Sequence, residues 1–205
     1  MIDTDAILAM KKMVDIANEY LMKPSKAQPT TSRIAPREAV SFPRALELGP
    51  YRLGKGSRKN LEGVHPDLVW IVHYAIRITD QDFTVTDGLR TWDEQIENVR
   101  TGVSQTMKSK HLIQPDGWGH AVDLVPWVNQ QVRWELLACY KIMEAIRRAS
   151  CARGCLIRWG GAWVPLYQDS PTQAPDKLVQ AYRERKRAQG EPTFIDGQHY
   201  ELVIK

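Results

Sequence analysis

A carboxylate inside an apolar strand segment constrains this chain more than any other feature. The run Ala121-Val122-Asp123-Leu124-Val125 has the composition of a buried β-strand, and Asp123 is the charged residue within it. Burying a carboxylate is costly unless it is paired or bound to a metal ion. The fold must therefore bring a compensating partner to Asp123.

Two imidazoles can join Asp123 as metal ligands. His111 precedes it across a loop that contains proline and glycine, and His199 lies in a strand-like segment near the C-terminus. Two imidazoles and one carboxylate form a three-ligand set for zinc with one position open for water, as in catalytic sites. The rival ligand is His120, but in an extended chain it faces away from Asp123. We therefore expect one zinc ion per chain, bound by His111, Asp123 and His199.

Two carboxylates near His199 compete for the role of general acid and base. Residues two apart in an extended segment share a face, so Glu201 is expected to point the same way as His199. Asp196 reaches the site only if Gly197-Gln198 forms a bend, which glycine permits. The spacing alone does not decide between Asp196 and Glu201.

A candidate anion-binding side chain follows a predicted strand at residues 83–86. Gly88 allows a turn after this strand, and the turn delivers Arg90 to the strand's end. Thr91 is expected to cap a helix over residues 92–100. The guanidinium of Arg90 could grip an anion or a developing oxyanion, whereas the alternative is an ordinary surface ion pair. Position alone favours neither.

The hydrophobic pattern predicts the remaining elements and the domain organisation. We expect an amphipathic helix over residues 3–22, a proline-containing linker up to residue 48, and a catalytic domain over residues 49–205. Within that domain the pattern predicts a short helix or turn at 57–64, helices at 66–78, 132–150 and 175–189, and strands at 121–125, 156–159, 193–196 and 200–204.

Composition limits the compartment and the partner. The formal net charge of +4 favours an anionic partner such as cell-wall polymer or nucleic acid. Three cysteines (Cys139, Cys151 and Cys155) argue against a disulfide scaffold and indicate a reducing compartment. No apolar run approaches the roughly 20 residues that span a bilayer, and the N-terminus lacks the pattern of a secretory signal. We therefore expect a cytoplasmic protein.

Three motifs resemble one known family. Ser109-Lys110-His111, Gly119-His120-Ala121-Val122-Asp123 and His199-Tyr200-Glu201 are similar to the motifs of zinc D-alanyl-D-alanine carboxypeptidases and dipeptidases. They are closer still to those of the L-alanyl-D-glutamate endopeptidases of phages and bacteria. The segments Asp87-Gly88-Leu89-Arg90-Thr91 and Trp159-Gly160-Gly161-Ala162-Trp163 also resemble family segments. The resemblance covers roughly residues 50 to 205.

The resemblance implies a fold and a set of roles. It implies a small α+β domain of the Hedgehog and D,D-peptidase type, with a mostly antiparallel sheet flanked by helices. It assigns zinc to His111, Asp123 and His199, and it selects Asp196 over Glu201 as the catalytic acid and base. It also implies that Arg90 stabilises a substrate carbonyl or carboxylate. Four further residues are the expected substrate-binding residues: Ser109, Trp118, Trp159 and Glu201.

The favoured function is that of a phage-type endolysin, a zinc peptidase that cuts the peptidoglycan stem peptide at the L-Ala–D-Glu bond. Such an enzyme would stay in the cytoplasm of the host cell until its release to the wall. We expect no nucleic-acid partner and no stable membrane insertion. A monomer is expected, with dimerisation through residues 3–22 as the alternative.

Two other functions compete with the endolysin hypothesis. A D-alanyl-D-alanine carboxypeptidase of wall maturation would use the same site but release one D-Ala. A non-enzymatic zinc module, as in Hedgehog-like relatives, would bind the metal and remain inert. Asp196 and Arg90 beside a full ligand set argue against this last hypothesis.

Overall fold

The computed structural model describes residues 49–166 and 174–204, and every statement about the fold refers to these two ranges. The predicted helix at 3–22 and the linker that follows it lie outside them, so the boundary near residue 48 stays a prediction. The helices are α1 (Lys55–Asn60), α2 (Pro66–Ile78), α3 (Trp92–Arg100), α4 (Leu136–Arg153) and α5 (Pro175–Ala188). The strands are β1 (Phe83–Asp87), β2 (Ala121–Val128), β3 (Gln131–Val132), β4 (Leu156–Trp159), β5 (Val164–Pro165) and β6 (His199–Val203).

The strands form one antiparallel sheet. Their order is β1-β2-β6-β4-β5, and β3 pairs with the far end of β2 as a short hairpin. All of these pairings are antiparallel. The prediction of an α+β domain with a small antiparallel sheet and flanking helices is therefore confirmed.

The two faces of the sheet differ in character. Along β6, Tyr200 and Leu202 belong to the hydrophobic core, while His199 and Glu201 alternate with them. The same alternation sets Asp123 between two core residues of β2, because side chains of successive strand residues point to opposite faces. Helices α2 and α4 pack against each other, and α4 also packs against β2 and β4. The helices thus bury one face, and the polar residues share the other.

Local sequence signals set where two of the helices begin. Helix α2 starts at Pro66, whose missing N–H costs nothing in the first turn, and the ring of His65 accepts a hydrogen bond from the backbone of Asp67. Helix α3 starts with a reciprocal capping box between Thr91 and Glu94. The predicted cap at Thr91 is therefore confirmed.

The predicted helix over residues 132–150 is present but begins later than expected, and the predicted strand over residues 193–196 is absent, because the backbone has other hydrogen-bond partners in both places. Helix α4 begins at Leu136 instead of residue 132, because β3 pairs with β2 through a turn. Asn129 and Gln130 in that turn have φ values of 51° and 61°, the pair of left-handed conformations that suits a tight hairpin. Residues 193–196 form no strand. The backbone N–H of Phe194 donates to the hydroxyl of Tyr182, at the end of a half-buried stretch that turns into β6.

In the two ranges that the structure describes, no helix combines the length and apolarity needed to cross a membrane.

Candidate metal centre

Strand pairing places two of the three predicted ligands next to each other. Asp123 of β2 lies directly opposite His199 of β6, and residues so paired have neighbouring side chains. The Asp123 Oδ1 and His199 Nδ1 atoms are 3.1 Å apart. The carboxylate that the sequence singled out therefore has an imidazole beside it.

The third predicted ligand comes from the loop before β2. His111 is 2% exposed, and its Nδ1–H donates to the carbonyl of Gly88 at 2.7 Å. Its own carbonyl accepts a hydrogen bond from the backbone N–H of Arg90, and its N–H donates to the hydroxyl of Ser109. These contacts fix the ring with its Nε2 atom turned toward the other two ligands.

The three candidate ligand atoms lie close enough together to share one metal ion. His111 Nε2 lies 3.2 Å from His199 Nδ1 and 3.3 Å from Asp123 Oδ1, and the third separation is the 3.1 Å between Asp123 and His199. A tetrahedral zinc ion with bonds of about 2.0–2.1 Å needs ligand atoms roughly 3.3–3.4 Å apart. This group of a histidine, an aspartate and a second histidine could therefore hold a metal ion.

The rival ligand lies elsewhere. His120 Nε2 is 2.8 Å from Asp116 Oδ2, within a cluster that also includes His65. That position agrees with the expectation that an extended chain turns His120 away from Asp123.

The charges of the three candidate ligands favour a cation at the centre of the site. Burial disfavours the charged form of Asp123, but the imidazoles of His111 and His199 outweigh burial and lower the pKa of this carboxyl. Burial likewise disfavours an imidazolium at His199, yet hydrogen bonds to Asp123 and Glu201 raise its pKa to about 10. A divalent cation would supply positive charge where these carboxylates already stabilise it.

Arg90 is held by polar partners inside the cleft. Its Nε donates to Asp87 at 2.7 Å, its Nη1 donates to Gln95 at 2.9 Å, and its Nη2 lies 3.4 Å from Asp123 Oδ2. The guanidinium thus contacts the second oxygen of a predicted ligand. Arg90 does form an ion pair with Asp87, but its side chain is only 10% exposed, so the pair lies within the cleft and not at the open surface.

Asp196 lies on a turn that leads into β6. The N–H of His199 donates to the carbonyl of Asp196, which confirms the predicted bend at Gly197-Gln198. Asp196 lines the same cleft as the three ligands. Burial, with the charge of Asp123 next in importance, raises the pKa of Asp196. A carboxyl with a raised pKa takes up a proton more readily than a carboxyl with the ordinary pKa.

The structure places Trp159 beneath the site instead of on its wall. Trp159 is fully buried, and its Nε1–H donates to the carbonyl of Gly197 at 2.9 Å. Its expected contact with substrate is therefore wrong, because the ring has no exposed surface. It instead anchors the turn that carries Asp196.

The other expected substrate-binding residues occupy three different settings. Ser109 lines the cleft and shapes the turn before His111. Glu201 also lines the cleft, but it is 5% exposed and contacts His199 and Arg158. Trp118 is 39% exposed and does not belong to the cleft lining among the described residues.

An aromatic wall that the sequence did not predict borders the candidate metal centre. The cleft has a volume of about 1140 Å³, and Trp163 lines it with its ring centroid 5.5 Å from that of His199. Trp163 has a φ of 51°, a left-handed value that is unusual for a bulky residue and is often found at functional sites. The sequence signal for this position was that the segment containing Trp163 resembles a segment of the family.

Comparisons with known proteins agree on one family. The model of the family described as phage L-alanyl-D-glutamate peptidase matches residues 50–203. The L-alanyl-D-glutamate peptidase of Escherichia phage T5 is 31% identical over 117 residues, which cover 55% of this chain and 82% of that protein. The L-alanyl-D-glutamate peptidase of Listeria phage A118 is 32% identical over 79 residues, 38% of this chain and 25% of that one.

A solved structure gives the same result. The crystal structure of the Serratia marcescens L-Ala D-Glu endopeptidase ChiX matches with a TM-score of 0.54 and 33% identity. The match covers 75% of this chain and 91% of that one.

Proposed function

This chain belongs to the phage L-alanyl-D-glutamate peptidase family, and from that membership we propose that it is an endolysin that hydrolyses the L-Ala–D-Glu bond of the peptidoglycan stem peptide. The observation that carries the proposal is one cleft that contains both the His111, Asp123 and His199 group and the carboxyl of Asp196. Before release to the wall, the protein would reside in the cytoplasm of the host cell.

Zinc is the metal we propose for the three ligands. Both imidazoles offer one nitrogen to the centre and use the other as a donor, His111 to Gly88 and His199 to Glu201. This arrangement fixes the tautomer that a metal ligand needs. When bound, zinc would act as a Lewis acid and lower the pKa of a water molecule to about 7.

Asp196 is the proposed general acid and base. Hydrolysis forms a bond between a water oxygen and the carbonyl carbon of L-Ala, and it breaks the bond from that carbon to the D-Glu nitrogen. A carboxylate oxygen of Asp196 would take the proton of the attacking water and pass it to the departing nitrogen. Its raised pKa suits both halves of this task, since a good acid and base has a pKa near the working pH.

Arg90 and Glu201 would hold the ligands Asp123 and His199 in position without binding the metal themselves. The guanidinium of Arg90 contacts Asp123 Oδ2, which leaves the other carboxylate oxygen facing the imidazoles. Its positive charge also lies in the cleft where an oxyanion would develop. Glu201 accepts a hydrogen bond from His199 Nε2–H and so holds that ring in place.

The identity of the cleaved bond tests the proposal. We expect the purified full chain with zinc to release intact stem peptides that begin with D-Glu from muropeptides, as detected by mass spectrometry. Loss of a single terminal D-Ala would instead identify a carboxypeptidase. A protein that binds one zinc ion and cuts neither bond would identify an inert metal-binding module.

A further inference from the structure

The aromatic wall of the cleft is one connected structure that starts at the metal centre. The ring of Trp163, next to His199, stacks on Phe194 with the centroids 6.1 Å apart. Its Nε1–H donates to the carbonyl of Phe194 at 2.7 Å. Tyr182 of α5 is bound to the same backbone, since its hydroxyl donates to the Phe194 carbonyl and accepts from the Phe194 N–H. The wall is therefore a continuous set of contacts from His199 of β6 to Tyr182 of α5.

Arg185 lies at the outer end of this wall. Its guanidinium carbon is 5.4 Å from the centroid of the Tyr182 ring, within the range of a cation–π contact. Arg185 is exposed and lines the same cleft as the metal ligands. This contact places the planar fork of donors over a ring that is only 3% exposed. Less side-chain entropy is then lost when the fork binds an anion.

The positive charge of Arg185 is available to a ligand. Within the described ranges no carboxylate pairs with it, whereas the adjacent Lys186 pairs with Glu191. The other two arginines of the cleft are also compensated, Arg90 by Asp87 and Asp123, and Arg158 by Glu201.

Two lysines of the cleft are less well positioned than Arg185 to bind a planar anion. Lys110 donates to the amide oxygen of Gln114 and carries a compact charge on a flexible stem, and Lys108 is exposed. Of these cationic side chains, Arg185 is therefore the best positioned to bind a planar anion on the wall.

The proposed substrate supplies such an anion. Glutamate has two carboxyl groups, so when one continues the peptide the other remains free close to the bond that is cut. Later residues of the stem can add further carboxylates. We propose that Arg185 is a specificity-determining residue that binds a free carboxylate of the stem peptide on the D-Glu side of the scissile bond. This inference rests on the proposed function, because it assumes that stem peptide occupies the cleft.

The matched pair Arg185→Gln and Arg187→Gln tests the inference. Both positions are exposed on α5 and lose the same charge, but Arg187 does not belong to the cleft lining among the described residues. With a free-acid stem peptide, we expect Arg185→Gln to raise KM roughly tenfold, as for the loss of one charged hydrogen bond, with kcat unchanged. Arg187→Gln should match the wild type.

Amidated substrates identify which carboxylate is bound. One substrate carries an amide in place of the free carboxylate of D-Glu, and a second carries an amide in place of the carboxylate of the following residue. The wild type should lose affinity for one of these by the same factor as the mutation, and Arg185→Gln should no longer distinguish that amide from the acid.

The outcomes separate this inference from the proposed function. A wild type that cleaves the stem peptide while Arg185→Gln shows an unchanged KM would overturn the inference alone. The inference also fails if the variant still distinguishes acid from amide as the wild type does. A wild type that does not cleave any of the substrates would overturn the proposed function and this inference together.

Discussion

Glu201 Oε2 lies 3.1 Å from His199 Nε2, on the side of the imidazole away from Asp123. Glu201 is 5% exposed and also accepts a hydrogen bond from Arg158 Nε at 2.6 Å. Burial opposes ionisation of Glu201, but the adjacent His199 outweighs it and lowers the pKa of this carboxyl. A charged acceptor thus fixes one nitrogen of His199 as a donor and leaves the other for a metal ion.

We expect Glu201→Gln to weaken zinc binding by about 10–100-fold, as is typical when the partner of a metal-bound histidine is changed. The amide oxygen can still accept the hydrogen bond, but it no longer makes the imidazole a stronger ligand through its charge. Competition with a chromogenic chelator would measure the affinity. Glu191→Gln is the matched control, because Glu191 pairs with Lys186 on the cleft wall and does not contact a ligand. Equal zinc affinity in the wild type and Glu201→Gln would contradict this role.

Removal of the metal should destabilise the protein through the same three ligands. A ligand that binds only the folded state contributes about 4 kcal/mol when it is present at a thousand times its Kd. We therefore expect zinc to raise the melting temperature and a chelator to reverse the rise, as followed by circular dichroism. His120→Gln should keep the full response and His111→Gln should lose it. A response that survives in His111→Gln would place the metal elsewhere.

The alternation of the strands made much of the site predictable from the sequence. The cost of burying a carboxylate predicted a partner for the aspartate in the apolar run of β2, and the period of two predicted His199 and Glu201 on one face of β6. Antiparallel pairing then set Asp123 opposite His199. The sequence could not establish this pairing, because two strands so far apart in the chain could meet in many registers. The resemblance to a known family indicated which distant segments form one site, and the periodicity could not.

The errors about the site, unlike those at the start of α4 and at residues 193–196, arose where side chains from distant segments meet. Trp159 stood in a family segment, yet its indole is buried under the turn that carries Asp196. A tryptophan that anchors a turn and one that contacts a ligand have the same sequence pattern. The contact between Arg90 and Asp123 and the tilted ring contact between Trp163 and His199 also depend on tertiary packing that no local pattern encodes.

Replacement of Asp196 by asparagine should remove catalysis and preserve the metal site. Asparagine has a similar size but cannot exchange a proton, so we expect kcat to fall by about 10²–10⁴-fold. The measurement is cleavage of a defined stem peptide together with the zinc content of the purified variant. Full zinc content with lost activity is the expected pair of results. Activity close to that of the wild type would show that another group moves the proton.

Gly160 permits the close approach of β4 to the Asp196 turn. A Cβ atom at this position would lie 2.5 Å from the carbonyl oxygen of Asp196 and 3.0 Å from the Cβ of His199. We expect Gly160→Ala to destabilise the protein by about 1–3 kcal/mol and to lower activity, because backbone must shift in a packed region.

Gly56 provides the opposite control. A Cβ atom there meets nothing within 4 Å, and the residue lies in α1. Gly56→Ala should therefore raise stability by about 0.5 kcal/mol with unchanged activity, since alanine favours helix more than glycine does. Urea unfolding and peptide cleavage would measure both variants. A Gly160→Ala protein as stable and active as the wild type would contradict the tight contact.

His73 of α2 should make the protein less stable as the pH falls. Burial disfavours its charged form, and with the nearby Arg58 it lowers the pKa of His73 below the ordinary value of 6.5. The unfolded chain then binds more protons than the folded one between these two pKa values. The penalty is therefore absent well above pH 6.5 and grows as the pH falls through 6.5 toward the folded-state pKa.

His73→Gln removes the titration, so its free energy of unfolding relative to the wild type should increase from pH 8 to pH 5.5. Urea unfolding at both pH values measures this difference, and the titrations of the metal ligands cancel because both proteins share them. A difference that does not change with pH would show that His73 titrates normally in the folded state.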